Sequence, residues 1–184
     1  ANPGGGTSAP APLWTYDADT ARPFVRVASP ADTEANVPRN ARVVLENQAS
    51  AVRVASMACP ALPTCGLALS ESERVLPSIL SRIEDVMNET GLANEEIIIR
   101  MTGCPNGCAR HFMSEIGFVG RSLGKYNMYI GGSDIGERLN TLYKEDLNEH
   151  EILENLDILF ANYAKNKSKN ESFGDFSYKL VKNN

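Results

Sequence analysis

Nothing in this 184-residue chain is apolar for long enough to cross a membrane as a helix, because no run of about 18 apolar residues occurs. Basic charge is not in surplus either. Eighteen Lys and Arg stand against 23 Asp and Glu, a net charge of −5. That argues against a nonspecific nucleic-acid binder, which needs a basic surface. The N-terminus lacks a basic region followed by an apolar stretch, so no secretory signal is expected, and the expected compartment is the cytoplasm, where thiols stay reduced. No internal repeat is visible. What is present is ordinary for a folded chain: 42% hydrophobic and 22% charged residues, enough to bury a sizeable core in one compact domain.

Cysteine is scarce but not scattered. All four fall in two short pairs, Cys59-Pro60-Ala61-Leu62-Pro63-Thr64-Cys65 and Thr102-Gly103-Cys104-Pro105-Asn106-Gly107-Cys108-Ala109-Arg110, separated by 38 residues. Four thiolates are a full ligand set for an iron–sulfur cluster. Structural zinc also takes four cysteines, usually with two to four residues between paired ligands; C-x3-C fits and C-x5-C does not. A disulfide pairing and plain buried thiols remain open from spacing alone. Gly103 and Gly107 remove side chains beside Cys104 and Cys108, which lets backbone approach a bulky inorganic group and permits positive φ. A helix starting near Asn106 would aim free N–H groups at anionic sulfur.

Composition changes along the chain. Six of the ten prolines and Gly4-Gly5-Gly6 lie in the first 40 residues, so residues 1–48 are expected to form a linker or arm, and residues 49–184 the folded domain. Val43, Leu45, Val52 and Val54 suggest one or two short strands, and Gly66 to Val75 a short helix. Pro77 opens a second helix whose core stripe is Ile79, Leu80, Ile83, Val86 and Met87, stopped by Gly91. Ile97-Ile98-Ile99 reads as a strand leading to the second cysteine pair. Ser114–Val119 and Asn127–Ile130 read as two more strands, ended by Gly131-Gly132. Asn148 caps a long helix with Ile152, Leu153, Leu156, Leu159, Phe160 and Tyr163 on one face. Phe173, Phe176, Tyr178, Leu180 and Val181 suggest a last strand. The expected class is α+β: a mixed or antiparallel sheet, helices packed on one face, and cluster-binding loops between elements.

The segment T-G-C-P-N-G-C-A-R, with the Cys59–Cys65 segment, resembles the sirohaem sulfite reductases. The likeness continues through Ser70-Glu71-Ser72-Glu73-Arg74-Val75-Leu76-Pro77, Ile116-Gly117-Phe118-Val119-Gly120, Tyr126-Asn127, Gly131-Gly132, Tyr143-Lys144-Glu145 and Phe173-Gly174-Asp175-Phe176. Related nitrite reductases share the cysteine spacing but usually place Ser where this chain has Gly107, so sulfite is the better match. The resemblance implies a [4Fe-4S] cluster on Cys59, Cys65, Cys104 and Cys108, with Cys108 also the proximal ligand bridging to sirohaem iron. It implies six-electron reduction of sulfite to sulfide, with electrons from an NADPH-dependent flavoprotein subunit or from ferredoxin. Asn106 and Arg110 are the candidate cofactor contacts, with Arg100 and Arg121 nearby; sirohaem carries many carboxylates and favours cationic groups and N–H donors. His111 is read as a structural side chain rather than a ligand, His150 as a surface residue, and Met101 and Met113 as packing. Family haemoproteins are several times longer, and their sulfite-gripping basic residues come from upstream. The chain is therefore expected to be a C-terminal cluster-bearing portion that needs the missing N-terminal half and adds no catalytic residue beyond the cofactor centre. Nitrite reduction, a noncatalytic zinc or iron–sulfur module and a truncated remnant are the alternatives.

Overall fold

The computed structural model describes residues 14–17, 22–25 and 49–182. The chain divides into two compact units, Ala1–Asn47 and Gln48–Asn184. In the first, β1 (Trp14–Asp17) pairs antiparallel with β2 (Arg22–Val25), Trp14 opposite Val25. The rest of the expected arm, including Val43 and Leu45, lies outside the described residues.

The second unit begins with a helix where short strands were expected. Ser50 caps α1 (Ala51–Ala55) by accepting from Arg53 N, so Val52 and Val54 are helical. β3 (Met57–Ala58) runs directly into Cys59. Residues 66–75 form turns rather than the expected helix. Helix α2 (Leu76–Glu89) starts with Pro77 in its first turn, where a missing N–H costs nothing. It buries Ile79, Leu80, Ile83, Val86 and Met87 as expected. Gly91 (φ +75) ends it in a Schellman closure: Leu92 N donates to Met87 O at 2.7 Å and Gly91 N to Asn88 O at 3.4 Å.

β4 (Ile99–Thr102) starts two residues later than the isoleucine run suggests. β5 (Ile116–Ser122) and β6 (Lys125–Ile130) form the expected hairpin with a shorter turn, and β7 (Thr141–Leu147) adds a strand that sequence reading did not find. Helix α3 (Glu149–Asn166) opens with a capping box: Glu151 N donates to Asn148 Oδ1 at 3.0 Å and Asn148 N to Glu151 Oε2 at 2.7 Å. The last apolar segment is a helix, α4 (Phe173–Lys182), not a strand. Its buried residues, Phe173, Gly174, Phe176 and Ser177, recur at helical spacing, and burial on that face overrides the strand preference of its aromatic and β-branched residues.

The sheet order is β3-β4-β5-β6-β7; β3, β4 and β5 are parallel and β5, β6 and β7 antiparallel. This is the mixed sheet of an α+β fold. Register aligns Ile99, Ile116 and Ile130 in one rung and Met101, Phe118 and Met128 in the next. All six are buried and share one face with the inward stripes of α2, α3 and α4. The opposite face presents Arg100, Gly117 and Tyr129 in one rung and Thr102, Val119 and Asn127 in the next. Among the described residues no helix is long and apolar enough to cross a membrane.

Candidate metal centre

Parallel pairing decides where the cysteines lie. β3 and β4 run side by side with Ala58 opposite Met101, so both chains leave the sheet at the same end. Cys59 N extends the ladder by donating to Met101 O at 3.1 Å. The Cys59 and Cys104 loops therefore start as neighbours, although 44 residues separate Cys59 from Gly103.

Cys59 Sγ already accepts a hydrogen bond from Gly103 N at 3.2 Å and lies 3.5 Å from Thr102 Oγ1. Backbone donors of this kind stabilise sulfur that carries negative charge. Cys65 N donates to Ala61 O at 2.7 Å, and Ala68 N to Cys65 O at 3.1 Å, which closes the first loop on itself. In the second loop Gly107 N reaches Cys104 O at 3.4 Å and Arg110 N reaches Gly107 O at 2.7 Å. These are turns, and the helix expected from Asn106 is not formed, so this loop supplies no helix dipole. Cys59 and Cys104 are buried, Cys65 is half-buried and Cys108 is exposed; all four are free thiols. Among the described residues no three His, Cys, Asp or Glu side chains are gathered into a group that could hold one metal ion. The donor set itself, four unpaired thiols on two adjoining loops, is that of zinc, copper(I) or an iron–sulfur cluster.

The glycines work differently from the expectation. A Cβ on Gly103 would lie 2.5 Å from Ala61 Cβ and 2.6 Å from Ser70 O, so protein fills the space that its missing side chain leaves. A Cβ on Gly120 would run into Gly103 O. Gly107 does have positive φ, +70, and its open side faces the His111 ring. A Cβ on Gly132 would run into Ser114 O, so this glycine lets the two backbones approach closely.

A serine-rich strap ties this end together, and sequence reading gave its residues no role. Leu69 N and Ser70 N both donate to Gly103 O, at 2.8 and 3.0 Å. Ser72 Oγ donates to Met101 O at 2.7 Å, Gly124 N to Ser70 Oγ at 3.2 Å, and Tyr126 Oη to Glu71 O at 3.0 Å. Ser70 and Ser72 are fully buried. Asn140 does the same for the 3₁₀ turn His111–Met113 after the second loop: its Nδ2 donates to His111 O at 2.6 Å and to Ser114 O at 3.0 Å. Asn carries no motif by itself, so only its position could have marked it.

Among the other candidates, Asn106 and Arg110 are exposed on the second loop, with Arg110 held at φ +53. Arg100 Nη1 donates to Arg110 O at 3.4 Å, while its Nε is buried with no partner. Arg121 is exposed. His150 is a surface residue 3.7 Å from Glu154. Met101 is core, whereas Met113 is exposed rather than packed. His111 is fully buried, and neither ring nitrogen has a hydrogen-bond partner.

No protein-family model matches the chain. Among curated proteins it is 61% identical over 121 residues to the "Sulfite reductase (NADPH) hemoprotein beta-component" of Staphylococcus epidermidis, covering 66% of this chain and 21% of that protein. The proteins of the same name from Bacillus velezensis and Bacillus subtilis are each 57% identical, over 129 and 127 residues, covering 70% and 69% of this chain and 23% and 22% of theirs. The chain thus spans less than a quarter of the length of these relatives. The solved structure of Mycobacterium tuberculosis NirA protein shares the fold, with a TM-score of 0.62 and 21% identity over 72% of this chain and 26% of that one.

Proposed function

Because this chain is homologous over about two thirds of its length to the sulfite reductase hemoprotein beta-components, we propose that residues 49–184 form the cofactor-binding portion of such an enzyme, with residues 1–48 an added arm. Cys59, Cys65, Cys104 and Cys108 would hold a [4Fe-4S] cluster, and Cys108 would be the thiolate it shares with sirohaem. When bound, the coupled pair stores electrons beside the iron at which sulfite is reduced to sulfide. The observation that carries this reading is the joint exit of both cysteine loops from adjacent parallel strands, with the Gly103 N–H already donating to Cys59 Sγ. The exposure of Cys108 supports its assignment as the thiolate facing the macrocycle. Asn106 and Arg110, exposed on the same loop, suit contact with the polycarboxylate ring. The chain's own part is to present the ligands and donors. Grip on sulfite is assigned to the remainder of a full-length haemoprotein, and electron delivery to an NADPH-dependent flavoprotein or a ferredoxin, in the cytoplasm.

The test is anaerobic purification, followed by iron, acid-labile sulfide, zinc and absorption measurements on one sample. About four irons and four sulfides per chain, the content of a [4Fe-4S] centre, support the reading, and a sirohaem spectrum extends it to the coupled centre. Zinc alone overturns it in favour of a structural metal module. In a reconstituted full-length enzyme, Cys108→Ser abolishes cluster–sirohaem coupling and turnover; full turnover in that variant removes Cys108 from the bridging position.

A further inference from the structure

His111 is fully buried, yet both of its ring nitrogens lack a partner. Its backbone, by contrast, is tightly held: the His111 carbonyl accepts from Asn140 Nδ2 and from Ser114 Oγ, each at 2.6 Å. The ring crowds the space a side chain at position 107 would take. A Cβ on Gly107 would lie 3.2 Å from its Cε1 and 3.4 Å from its Nδ1. The imidazole is therefore seated against the turn that joins Cys104 to Cys108. Phe112 and Tyr129 close around it, with ring centroids 3.8 and 5.7 Å away. A phenylalanine or leucine would fill such a place without burying two polar atoms. Buried polar groups almost always have a partner, so an orphaned pair beside a ligand loop points to a partner that arrives with the ligand.

Resting on the function proposed above, we propose that His111 is a positioning residue for the iron–sulfur group: its ring N–H donates a hydrogen bond to the sulfur shell held by the Cys104–Cys108 loop. Burial lowers its pKa to about 4, so the ring is neutral near pH 7 and carries one N–H donor and one acceptor. A donor to sulfur stabilises the more negative, reduced cluster. It therefore raises the reduction potential and slows iron loss.

The experiment compares the whole wild-type chain with His111→Phe, His111→Leu and His111→Gln, first metal-free and then after anaerobic loading with iron and sulfide. Three quantities are read: the melting temperature of the metal-free chain, the rate of iron release to a chelator, and the cluster midpoint potential from a spectroscopic redox titration. The donor-less variants are expected to melt no lower than wild type when metal-free, because the orphaned nitrogens are gone. Once loaded, they are expected to release iron about tenfold faster, the lower end for loss of an outer-shell partner, and to have a more negative potential. His111→Gln, which keeps an N–H, is expected to return the potential toward wild type. Equal potentials and release rates across wild type, Phe and Leu overturn the proposal. So does a metal-free stability loss in both Phe and Leu with no change in potential, which makes the ring a packing residue. If wild type takes up no iron and sulfide, the function proposed above fails and takes this inference with it.

Discussion

The helix-covered face of the sheet and the cysteine-bearing end of its parallel strands are built on different principles. The helix-covered face is a side-chain structure: the Ile99–Ile116–Ile130 and Met101–Phe118–Met128 rungs meet the inward stripes of α2, α3 and α4. Its energy is spread over many interchangeable apolar contacts. The cysteine end is a backbone structure, in which main-chain groups of Cys59, Ser70, Met101 and Gly103 are tied by a few specific hydrogen bonds and glycines allow the loops to touch. A damaged core loses stability in proportion to volume. A damaged loop end loses geometry. The comparison therefore predicts that mutations on the two sides separate in what they change.

The largest expected effect on stability is on the helix side. Ile83 is about fully buried on α2, and Ile83→Ala is expected to cost about 2–5 kcal/mol through lost transfer energy and a residual cavity. Denaturant unfolding of the metal-free chain measures this. Among molecules that remain folded, iron uptake per chain is expected to match wild type. A variant that keeps its stability but loses iron would break the division between the core and the cysteine end.

The same division explains what could be read from sequence. The stripes of α2 and α3 were legible because burial on one face of a helix is itself what creates a three- and four-residue period. The four cysteines were legible because their grouping is chemical. The misreadings have physical causes. Val52 and Val54 alternate over too few residues to outweigh the Ser50 cap, which makes α1. β7 is an edge strand with only Leu147 buried, so it has no apolar alternation, and its Lys144, Glu145 and Asp146 instead blunt the edge. Residues 66–75 form turns because their polar atoms serve the neighbouring loop through Ser70 and Ser72 rather than a helix. No local pattern in a sequence encodes a partner that lies many residues away.

A pH experiment sharpens the comparison, because each region contributes one buried ionisable group and the two act in opposite senses. On the helix side, Glu115 accepts from Ile98 N at 2.8 Å and from Gly174 N at 2.7 Å, which fixes the start of α4 to the sheet. Burial pushes it from 4.5 up to about 7, with Asp134 and Asp175 adding to the rise and the two N–H donors opposing it. On the loop side, burial pulls His111 from 6.5 down to about 4. Between pH 4.5 and 7 the folded chain keeps a proton on Glu115 that the unfolded chain has released, so raising pH lowers stability. Between pH 4 and 6.5 the unfolded chain holds a proton on His111 that the folded chain refuses, so raising pH increases stability. Each effect is worth up to roughly 3–4 kcal/mol over its window, at about 1.4 kcal/mol per pKa unit. Glu84, Glu151 and Glu171, held low by Arg53, the Asn148 N–H and Lys179, act below pH 4.5 and leave this window alone. The metal-free wild type is thus expected to show a nearly flat stability from pH 4.5 to 6.5. His111→Phe should expose a falling profile and Glu115→Gln a rising one. Parallel profiles for all three chains would show that neither group titrates as its burial requires.

A smaller expected change in stability, at Gly120, carries the larger consequence for the loops. A Cβ on Gly120 would press into the Gly103 carbonyl, with Ser70 Cβ only 2.9 Å away, and backbone cannot yield there as the end of a side chain could. Overpacking of this kind costs about 1–3 kcal/mol. The strain falls on the residue that donates to Cys59 Sγ and accepts from Leu69 and Ser70, so it moves one cysteine loop against the other. Gly66, adjoining Cys65, is the control: nothing lies within 4 Å of its would-be Cβ and its φ is not in the positive range. Gly66→Ala is expected to be neutral or to stabilise by about 0.4–1 kcal/mol by restricting the unfolded chain. Iron and acid-labile sulfide measured after anaerobic loading, beside denaturant midpoints for both variants, decide the matter. Gly120→Ala with reduced stability and full iron content would mean that the Gly103 carbonyl hub holds the fold together without setting the spacing of the cysteines, and the backbone end would then be no more a functional device than the core is.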